Sequence, residues 1–217
     1  MGTYTLTKIF TPEILESDKT ESLCRIFGLT KDRLSQTAAR HNCTLKINDG
    51  DIIYITGASG SGKSILLSEL ENQIPAGWRI NLSCFELPKD KAVIDCINGD
   101  VLSAMRILTN AGLGDVFSML NSPQHLSEGQ KYRFRLAMAL ASGKKFVFAD
   151  EFCSRLDRIT AGAVCHNVRR FAKRNNVTLI LASSHDDIVA DLLPDVIVVK
   201  DFSGNSEVIY KNRPIKI

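Results

Sequence analysis

The stretch GASGSGKS at Gly57–Ser64 decides the fold class of this chain of 217 residues. It fits the pattern G-x-x-x-x-G-K-[ST], in which small residues allow backbone N–H groups to curl around a polyphosphate. A helix that begins inside the motif adds the positive end of its dipole to those contacts. The predicted phosphate contacts are Gly57, Ala58, Ser59, Gly60, Ser61, Gly62, Lys63 and Ser64.

Two side chains of this loop have predicted chemical roles. Lys63 is a predicted catalytic residue because its amine reaches the β- and γ-phosphates, and the Ser64 hydroxyl is placed to bind Mg²⁺. The apolar run at 52–55 supplies a strand before the loop, and residues 65–67 continue into a helix. This context favours a phosphate-binding loop over the alternative, a glycine-rich turn before an ordinary helix.

Strand-like and helix-like segments alternate along the rest of the chain. Helices are predicted at 13–27, 63–72, 100–111, 115–120, 127–141, 160–174 and 186–192, and strands at 3–10, 45–47, 52–55, 78–82, 146–149, 177–182 and 196–199. Alternation of this kind predicts an α/β fold with a mostly parallel sheet core and small antiparallel N-terminal strands. We expect one domain over 1–217, with a lead-in at 1–44 and a short helical insertion at about 83–126.

Composition narrows the classes of protein. The hydrophobic fraction of 44% and charged fraction of 24% are ordinary for a globular protein, and a net charge of +3 is too balanced to indicate nucleic acid. No apolar run approaches the roughly twenty residues that a membrane span needs, and the N-terminus lacks a secretory signal. We therefore expect no membrane insertion. The 6 cysteines form no C-x-x-C pair, so we expect reduced thiols and a cytoplasmic location.

The run FVFADE at 146–151 places two acids after four apolar residues. A buried parallel strand that ends in an aspartate suits Mg²⁺ binding, so Asp150 is a predicted metal ligand. Glu151 lies one residue further, at the rim where a lytic water could sit. We predict that Glu151 is the general base or orients that water. A solvated loop that carries two acids is the alternative.

The segment LSEGQ at 126–130 is a second polar stretch with a glycine that leads into a predicted helix, and such a helix start can bind phosphate. With GASGSGKS, FVFADE, the following SRLD at 154–157 and His185 after the strand at 178–181, this segment resembles the ATP-binding cassette (ABC) ATPases. The motifs occur in that family's order over roughly residues 45–200. LSEGQ is similar to the family signature LSGGQ with one glycine replaced by Glu128, SRLD to its D-loop, and His185 to its switch histidine.

The resemblance implies a P-loop NTPase of the ABC type that uses ATP and Mg²⁺. In that family the signature of one subunit faces the phosphate loop of another, so two ATP molecules lie between two subunits. It therefore implies a homodimer on ATP binding, with Ser127, Gly129 and Gln130 as nucleotide contacts. Asp157 would help to shape the partner's site. His185 would act catalytically by holding the γ-phosphate, the water and Glu151.

Two departures from the family pattern stand out. The family places a glutamine between the first helix and the signature, and Glu86 is the predicted counterpart here, as a third metal ligand. An aromatic residue usually precedes the phosphate loop and stacks on adenine, but residues 37–46 offer only the ring of His41. Tyr4 or Phe10 could instead fold over the base, and GTP in place of ATP stays open.

Three interpretations of the cellular role follow. The short stretch between Lys63 and Ser127, and the text around 129–137 and 150–161, favour a soluble stand-alone subgroup of ABC ATPases, some of them fused to acetyltransferase-like domains. The first alternative is the ATP-binding subunit of an ABC transporter with a separate membrane chain. The second is a nucleic-acid-associated ABC ATPase. It is indicated only by basic residues, which lie at Arg169, Arg170, Lys173, Arg174, Lys211, Arg213 and Lys216. An unknown protein partner stays open.

Overall fold

A computed structural model describes residues 2–10, 15, 17–30, 39–202 and 204–211. Its strands are β1 Gly2–Phe10, β2 Ala39–Ile47, β3 Ile52–Gly57, β4 Arg79–Asn81, β5 Phe146–Ala149, β6 Thr178–Ala182, β7 Val196–Lys200 and β8 Ser206–Tyr210. Its α-helices are α1 Asp18–Ile26, α2 Lys63–Asn72, α3 Val101–Asn110, α4 Val116–Leu120, α5 Glu128–Ala141, α6 Arg158–Asn175 and α7 Val189–Leu192.

The main sheet is parallel except at one edge. Its strand order is β4-β5-β6-β3-β7-β8, and β8 alone of these described strands runs antiparallel, to β7. A separate two-stranded antiparallel sheet joins β1 to β2. The predicted α/β architecture with a mostly parallel core and small antiparallel N-terminal strands is therefore confirmed.

Each face of the main sheet carries its own apolar core. Alternate residues of one strand serve opposite faces, so Ile52 and Tyr54 pack with α5 and α6, whereas Ile53 and Ile55 pack with α2 and the β1–β2 sheet. All four side chains are buried. The two cores hold β3 at the centre of the molecule, and with it the start of GASGSGKS.

The predicted elements are recovered with shifted ends. The helix expected at 13–27 runs from Asp18 to Ile26, since a capping box between Ser17 and Thr20 starts it; residues 11–14 and 16 lie outside the described part. Segment 186–192 divides into a 3₁₀ turn, Asp186–Ile188, and the short helix α7. Strand β8 was not predicted. Within the described ranges, every helix is too short or too polar to traverse a bilayer.

Candidate nucleotide-binding site

Several of the predicted site residues lie where the parallel strands end. Strand β3 leads into GASGSGKS, β5 into Asp150, and β6 into the segment before His185. Because β5, β6 and β3 are parallel neighbours, their carboxyl ends meet at one edge of the sheet. An edge of this kind is where ligands bind in open α/β sheets.

The phosphate loop depends on glycine for its path. Gly57 has φ +141°, and a Cβ built there would lie 2.1 Å from the carbonyl oxygen of Lys200, so any side chain would displace β7. Gly60 and Gly62 also lie in the left-handed region, with φ +79° and +94°. Gly62 is the N-cap of α2, so the loop delivers its backbone N–H groups to the start of that helix.

The loop carries polar groups that could bind an anion. The Lys63 ammonium donates to the carbonyl oxygens of Gly57 and Ala58, at 2.8 Å each, and so lies across the mouth of the loop. Ser61 Oγ is buried without a hydrogen-bond partner among the described residues. A buried hydroxyl and a lysine held only by carbonyl oxygens fit the binding of a polyphosphate, which supplies acceptor oxygens for both.

Two cavities of about 510 Å³ each open beside the loop and share part of their lining. The shared residues are Ser64, Asp150, Glu151 and Arg155. An exposed carboxylate and a serine hydroxyl in one cavity are oxygen ligands of the type that Mg²⁺ takes. The structure therefore brings together the predicted metal ligands Ser64 and Asp150 with the predicted base Glu151.

Glu151 is held in a strained backbone conformation. Its φ of +48° costs a non-glycine residue about 1–3 kcal/mol. Its N–H donates to Asp150 Oδ1 at 2.9 Å, and its carbonyl oxygen accepts from Ser154 Oγ at 2.7 Å. Phe152 is buried behind it, and its N–H donates to the carbonyl oxygen of Ala182. The turn therefore presents the Glu151 carboxylate to the cavity.

The signature segment forms a helix start that lines neither cavity, although Tyr132 and Arg135 further along the same helix line one of them. Ser127 is the N-cap of α5, and its hydroxyl accepts from the N–H of Gln130 at 3.3 Å. Gln130 returns the bond, because its Oε1 accepts from the Ser127 N–H at 2.8 Å, and its Nε2 donates to Ser118 Oγ. Ser127 is exposed, and neither Ser127 nor Gly129 lines the cavities at the phosphate loop.

The chain is similar in sequence to bacterial import ATP-binding proteins. No protein-family model matches the chain. The chain is 28% identical over 195 residues to the methionine import ATP-binding protein MetN 1 of Burkholderia pseudomallei, covering 74% of this chain and 57% of that protein. It is 28% identical over 213 residues to MetN of Bartonella henselae, covering 82% and 61%. The chain thus spans little more than half the length of these relatives.

Solved structures share the fold. The chain matches the ATP-binding cassette MJ0796 in a dimeric post-hydrolysis state bound to ADP and Pi, with a TM-score of 0.63 over 78% of this chain and 90% of that chain. A second dimeric structure of MJ0796, described as a bacterial ABC transporter cassette, gives 0.62 over the same shares. Sequence identity is 19% in both, so these matches concern the fold. The chain therefore has the fold of an ABC ATPase cassette.

His185, the predicted switch histidine, is held by its backbone. The buried Tyr54 hydroxyl donates to the carbonyl oxygen of His185 at 2.7 Å, and Thr56 Oγ1 donates to Asp186 next to it. Burial raises the pKa of Tyr54, so the phenol stays protonated and can donate. The His185 ring is exposed, with Nδ1 4.0 Å from Asp187 Oδ1, and Ser183 and Ser184 line the cavity in its place.

The predicted D-loop at 154–157 packs against the predicted signature segment of the same chain. Asp157 is the N-cap of α6 and accepts from the Thr160 N–H at 2.9 Å, a bond that lowers the pKa of its carboxyl. Gly129 lies so close that a Cβ built on it would be 3.5 Å from the carbonyl oxygen of Arg155 and from Leu156. Asp157 and Gln130 therefore act first within the chain, as helix caps, beside the nucleotide contacts predicted for them.

Glu86, a predicted metal ligand, does not lie with the other two predicted metal ligands, Ser64 and Asp150. It is exposed on an irregular stretch after the 3₁₀ turn Leu82–Cys84, and it lines neither cavity. Ser83 and Cys84 from the same stretch line the cavity instead. The Ser83 hydroxyl donates to Asn81 Oδ1 at the end of β4. The sequence of this irregular stretch does not indicate which of its residues, Ser83 or Glu86, faces the cavity.

The described residues place none of the three candidate rings, Tyr4, Phe10 and His41, beside the phosphate loop. Tyr4 is at the far end of β1, where burial and the nearby Asp49 raise its pKa. The side chains of Phe10 and His41 lie outside the described part. Phe202, after β7, is 72% exposed, and its Cε1 lies 3.9 Å from a Cβ built on Gly60. A ring beside the phosphate loop thus comes from downstream.

Proposed function

We propose that this ABC domain binds Mg²⁺-ATP and hydrolyses it within a dimer of two copies that enclose two nucleotides. The observation that carries the proposal is the division of the phosphate-binding parts. The loop, Asp150 and Glu151 share two cavities, whereas the helix start at Ser127 is exposed and lines neither. The relatives' names and the dimeric MJ0796 cassettes support the same assembly.

The chemistry proposed at each site is hydrolysis of the γ-phosphoryl group. Lys63 and the loop N–H groups bind the β- and γ-phosphates, and Ser64 and Asp150 hold Mg²⁺, which supplies charge stabilisation when bound. Glu151 orients a water whose oxygen forms a bond to the γ-phosphorus, while the bond to the bridging oxygen breaks to leave ADP. The proton of the water passes to the phosphate product or to Glu151. Catalysis is chiefly positioning and electrostatic stabilisation.

The second copy completes the site. Ser127 and Gly129 of one chain would meet the γ-phosphate held by the other, because the N–H groups at a helix start bind anions. The His185 imidazole, exposed beside the cavity, would hold the same phosphate from its own chain. Loss of the γ-phosphate would remove the bridge between the copies and open the dimer, as a ligand-driven two-state switch.

The test is the ATPase rate per chain across a dilution series at saturating Mg²⁺-ATP. We expect the rate per chain to fall as the dimer dissociates, and to vanish at every concentration when Mg²⁺ is chelated. The Lys63→Ala variant, which should lose tight nucleotide binding, is the inactive control. A rate per chain that stays constant at dilutions where light scattering shows only monomers would refute the shared site.

We propose further that Phe202 is the platform for the nucleotide base. Base–aromatic stacking is worth about 1–3 kcal/mol, so Phe202→Ala should weaken nucleotide binding roughly 5- to 150-fold. Phe202→Tyr keeps the ring and should bind as the parent does. Stacking tolerates either purine, so ATP and GTP should lose affinity alike. Inorganic tripolyphosphate, measured in competition, should bind equally to all three proteins. An equal loss for tripolyphosphate would contradict the assignment.

The comparisons favour the transporter-subunit alternative over the stand-alone subgroup, since the curated relatives are import ATP-binding proteins. An observation on the helical insertion agrees. A cavity of about 600 Å³ opens between α3 and α4, and Val101 and Leu120 at its rim are 65% and 67% exposed. We propose that a helix of a separate membrane chain occupies this groove. Co-purification of a membrane protein with the tagged chain in detergent would distinguish this role.

The second alternative, a nucleic-acid-associated ABC ATPase, has little support. Lys173 of the basic helix face donates to Gly50 O and Asp195 Oδ2 within the chain, at 2.8 and 2.7 Å. Arg213 and Lys216 lie outside the described residues. The relatives and solved structures named above are import ATP-binding proteins and ATP-binding cassettes. We therefore do not propose a nucleic-acid partner, and we keep the cytoplasm, or the cytoplasmic face of a membrane, as the proposed location.

A further inference from the structure

The signature segment has an acidic residue, Glu128, at the helix start that is proposed to bind the partner's γ-phosphate. Glu128 is the first residue of α5, directly between Ser127 and Gly129, and its side chain is 66% exposed. A carboxylate there stabilises an isolated helix start, because it complements the helix dipole. It would also repel the triphosphate that the helix start is proposed to bind. The chain therefore needs a means to cancel this charge.

Two cations contact the Glu128 carboxylate. Oε1 accepts from Lys131 Nζ at 3.0 Å, one turn along the same helix, and Oε2 accepts from Arg155 Nη1 at 3.4 Å. The hydrogen bond from Lys131 and the charges of Lys131 and Arg155 lower the pKa of the Glu128 carboxyl. Glu128 therefore stays ionised near neutral pH, and these two side chains, not a proton, balance it.

Arg155 belongs to a different element from the acid that it contacts. It lies in the D-loop, which already packs against the signature through Gly129. It also lines both cavities beside Asp150 and Glu151, and its side chain is 54% exposed. Arg155 therefore contacts both the proposed dimer surface, at Glu128, and the edge of its own chain's nucleotide site.

We infer that Arg155 is a positioning residue of the trans-acting surface: it neutralises Glu128 and holds the D-loop against the signature. The pair of cations leaves the region around Glu128 with one surplus positive charge, which suits a triphosphate. Without Arg155 the acid would be balanced only by Lys131, and the surplus would be gone. The inference rests on the proposed dimer.

The test is a charge-rescue cycle in the Glu151→Gln parent, read as the dimer dissociation constant at saturating Mg²⁺-ATP. An exposed ion pair contributes up to about 1 kcal/mol, and a dimer has two such faces, so Arg155→Gln should weaken dimerisation by up to about thirtyfold. Arg155→Lys should restore it. Glu128→Gln added to Arg155→Gln should restore it as well, because Lys131 then leaves the same surplus charge.

The controls separate this inference from its competitors. Arg170→Gln removes an exposed arginine about three turns after the start of α6, and it should leave the dimer unchanged. If Arg155 instead serves its own nucleotide, Arg155→Gln will weaken ATP binding in dilute monomers, and Glu128→Gln will not rescue it; that result overturns the inference. Failure of the Glu151→Gln parent itself to dimerise with ATP overturns the proposed function, and this inference with it.

Discussion

Glu151→Gln should abolish ATP hydrolysis while the protein still binds ATP, and should convert the chain into a stable dimer on addition of Mg²⁺-ATP. The amide keeps the size and the hydrogen-bonding reach of the carboxylate but cannot take a proton or hold a water as strongly. Loss of a general base lowers rates by roughly 10²- to 10⁴-fold. With the γ-phosphate never removed, the closed dimer persists and elutes as one species in size exclusion.

Two comparisons make this experiment specific. Glu207→Gln neutralises an exposed acid on β8, on the opposite edge strand, and should hydrolyse ATP normally and stay monomeric when ATP is exhausted. ADP in place of ATP should give no dimer with either variant. A Glu151→Gln protein that hydrolyses ATP at the parental rate would remove Glu151 from its proposed role, and Asp150 would then be the remaining carboxylate that lines both cavities.

The backbone strain at Glu151 gives this prediction a structural reason beyond the motif. Left-handed φ values at Glu151 and Cys153 are unfavourable for non-glycine residues, and they bracket the buried Phe152. The Tyr132 hydroxyl accepts from the N–H of Cys153 at 3.0 Å, which ties this turn to α5. The turn is therefore stabilised by contacts with its surroundings, and a change from acid to amide alters its charge without altering its path.

Local patterns carried much of the fold in this chain. The strand at 146–149 and the helix at 63–72 were predicted with the bounds that the structure shows, because the first is apolar throughout and the second follows a motif with fixed helix geometry. Strand β8 was missed: its residues Ser206–Tyr210 lie on an edge, are largely exposed and show no apolar face. Strand order was beyond reach, since periodicity says which face is buried and not which strands pair.

The site was predictable where a motif fixes the backbone. Gly57 and Lys63 follow from the need for left-handed glycines and a helix start, and the structure places both as expected. Glu86 and Phe202 lie where no motif applies. Glu86 follows a 3₁₀ turn whose length the sequence does not indicate, and Phe202 reaches the phosphate loop only through the pairing of β7 with β3. Contacts between distant segments of this kind require the tertiary structure.

Ser127→Arg should prevent ATP-driven dimerisation, and with it hydrolysis, while dilute monomers still bind ATP. The residue is exposed and lines neither cavity at the phosphate loop, so a large cation there has no contact with its own nucleotide. In the proposed dimer the same side chain would occupy the space of the partner's γ-phosphate contact. We expect the ATPase rate to fall at least as far as for Glu151→Gln, with no dimer in size exclusion.

The helix cap must be separated from the interface in this experiment. Ser127 caps α5, and loss of a cap costs about 1 kcal/mol, so Ser127→Arg should also lower the melting temperature slightly. Ser127→Asn keeps a capping oxygen and serves as the matched variant for stability, whereas Asn72→Arg adds the same cation at the far end of α2. If Ser127→Arg abolished ATP binding in monomers of normal stability, the signature would have to act on its own chain's nucleotide. The division of phosphate-binding parts between two copies would then be wrong, because one chain would already hold both.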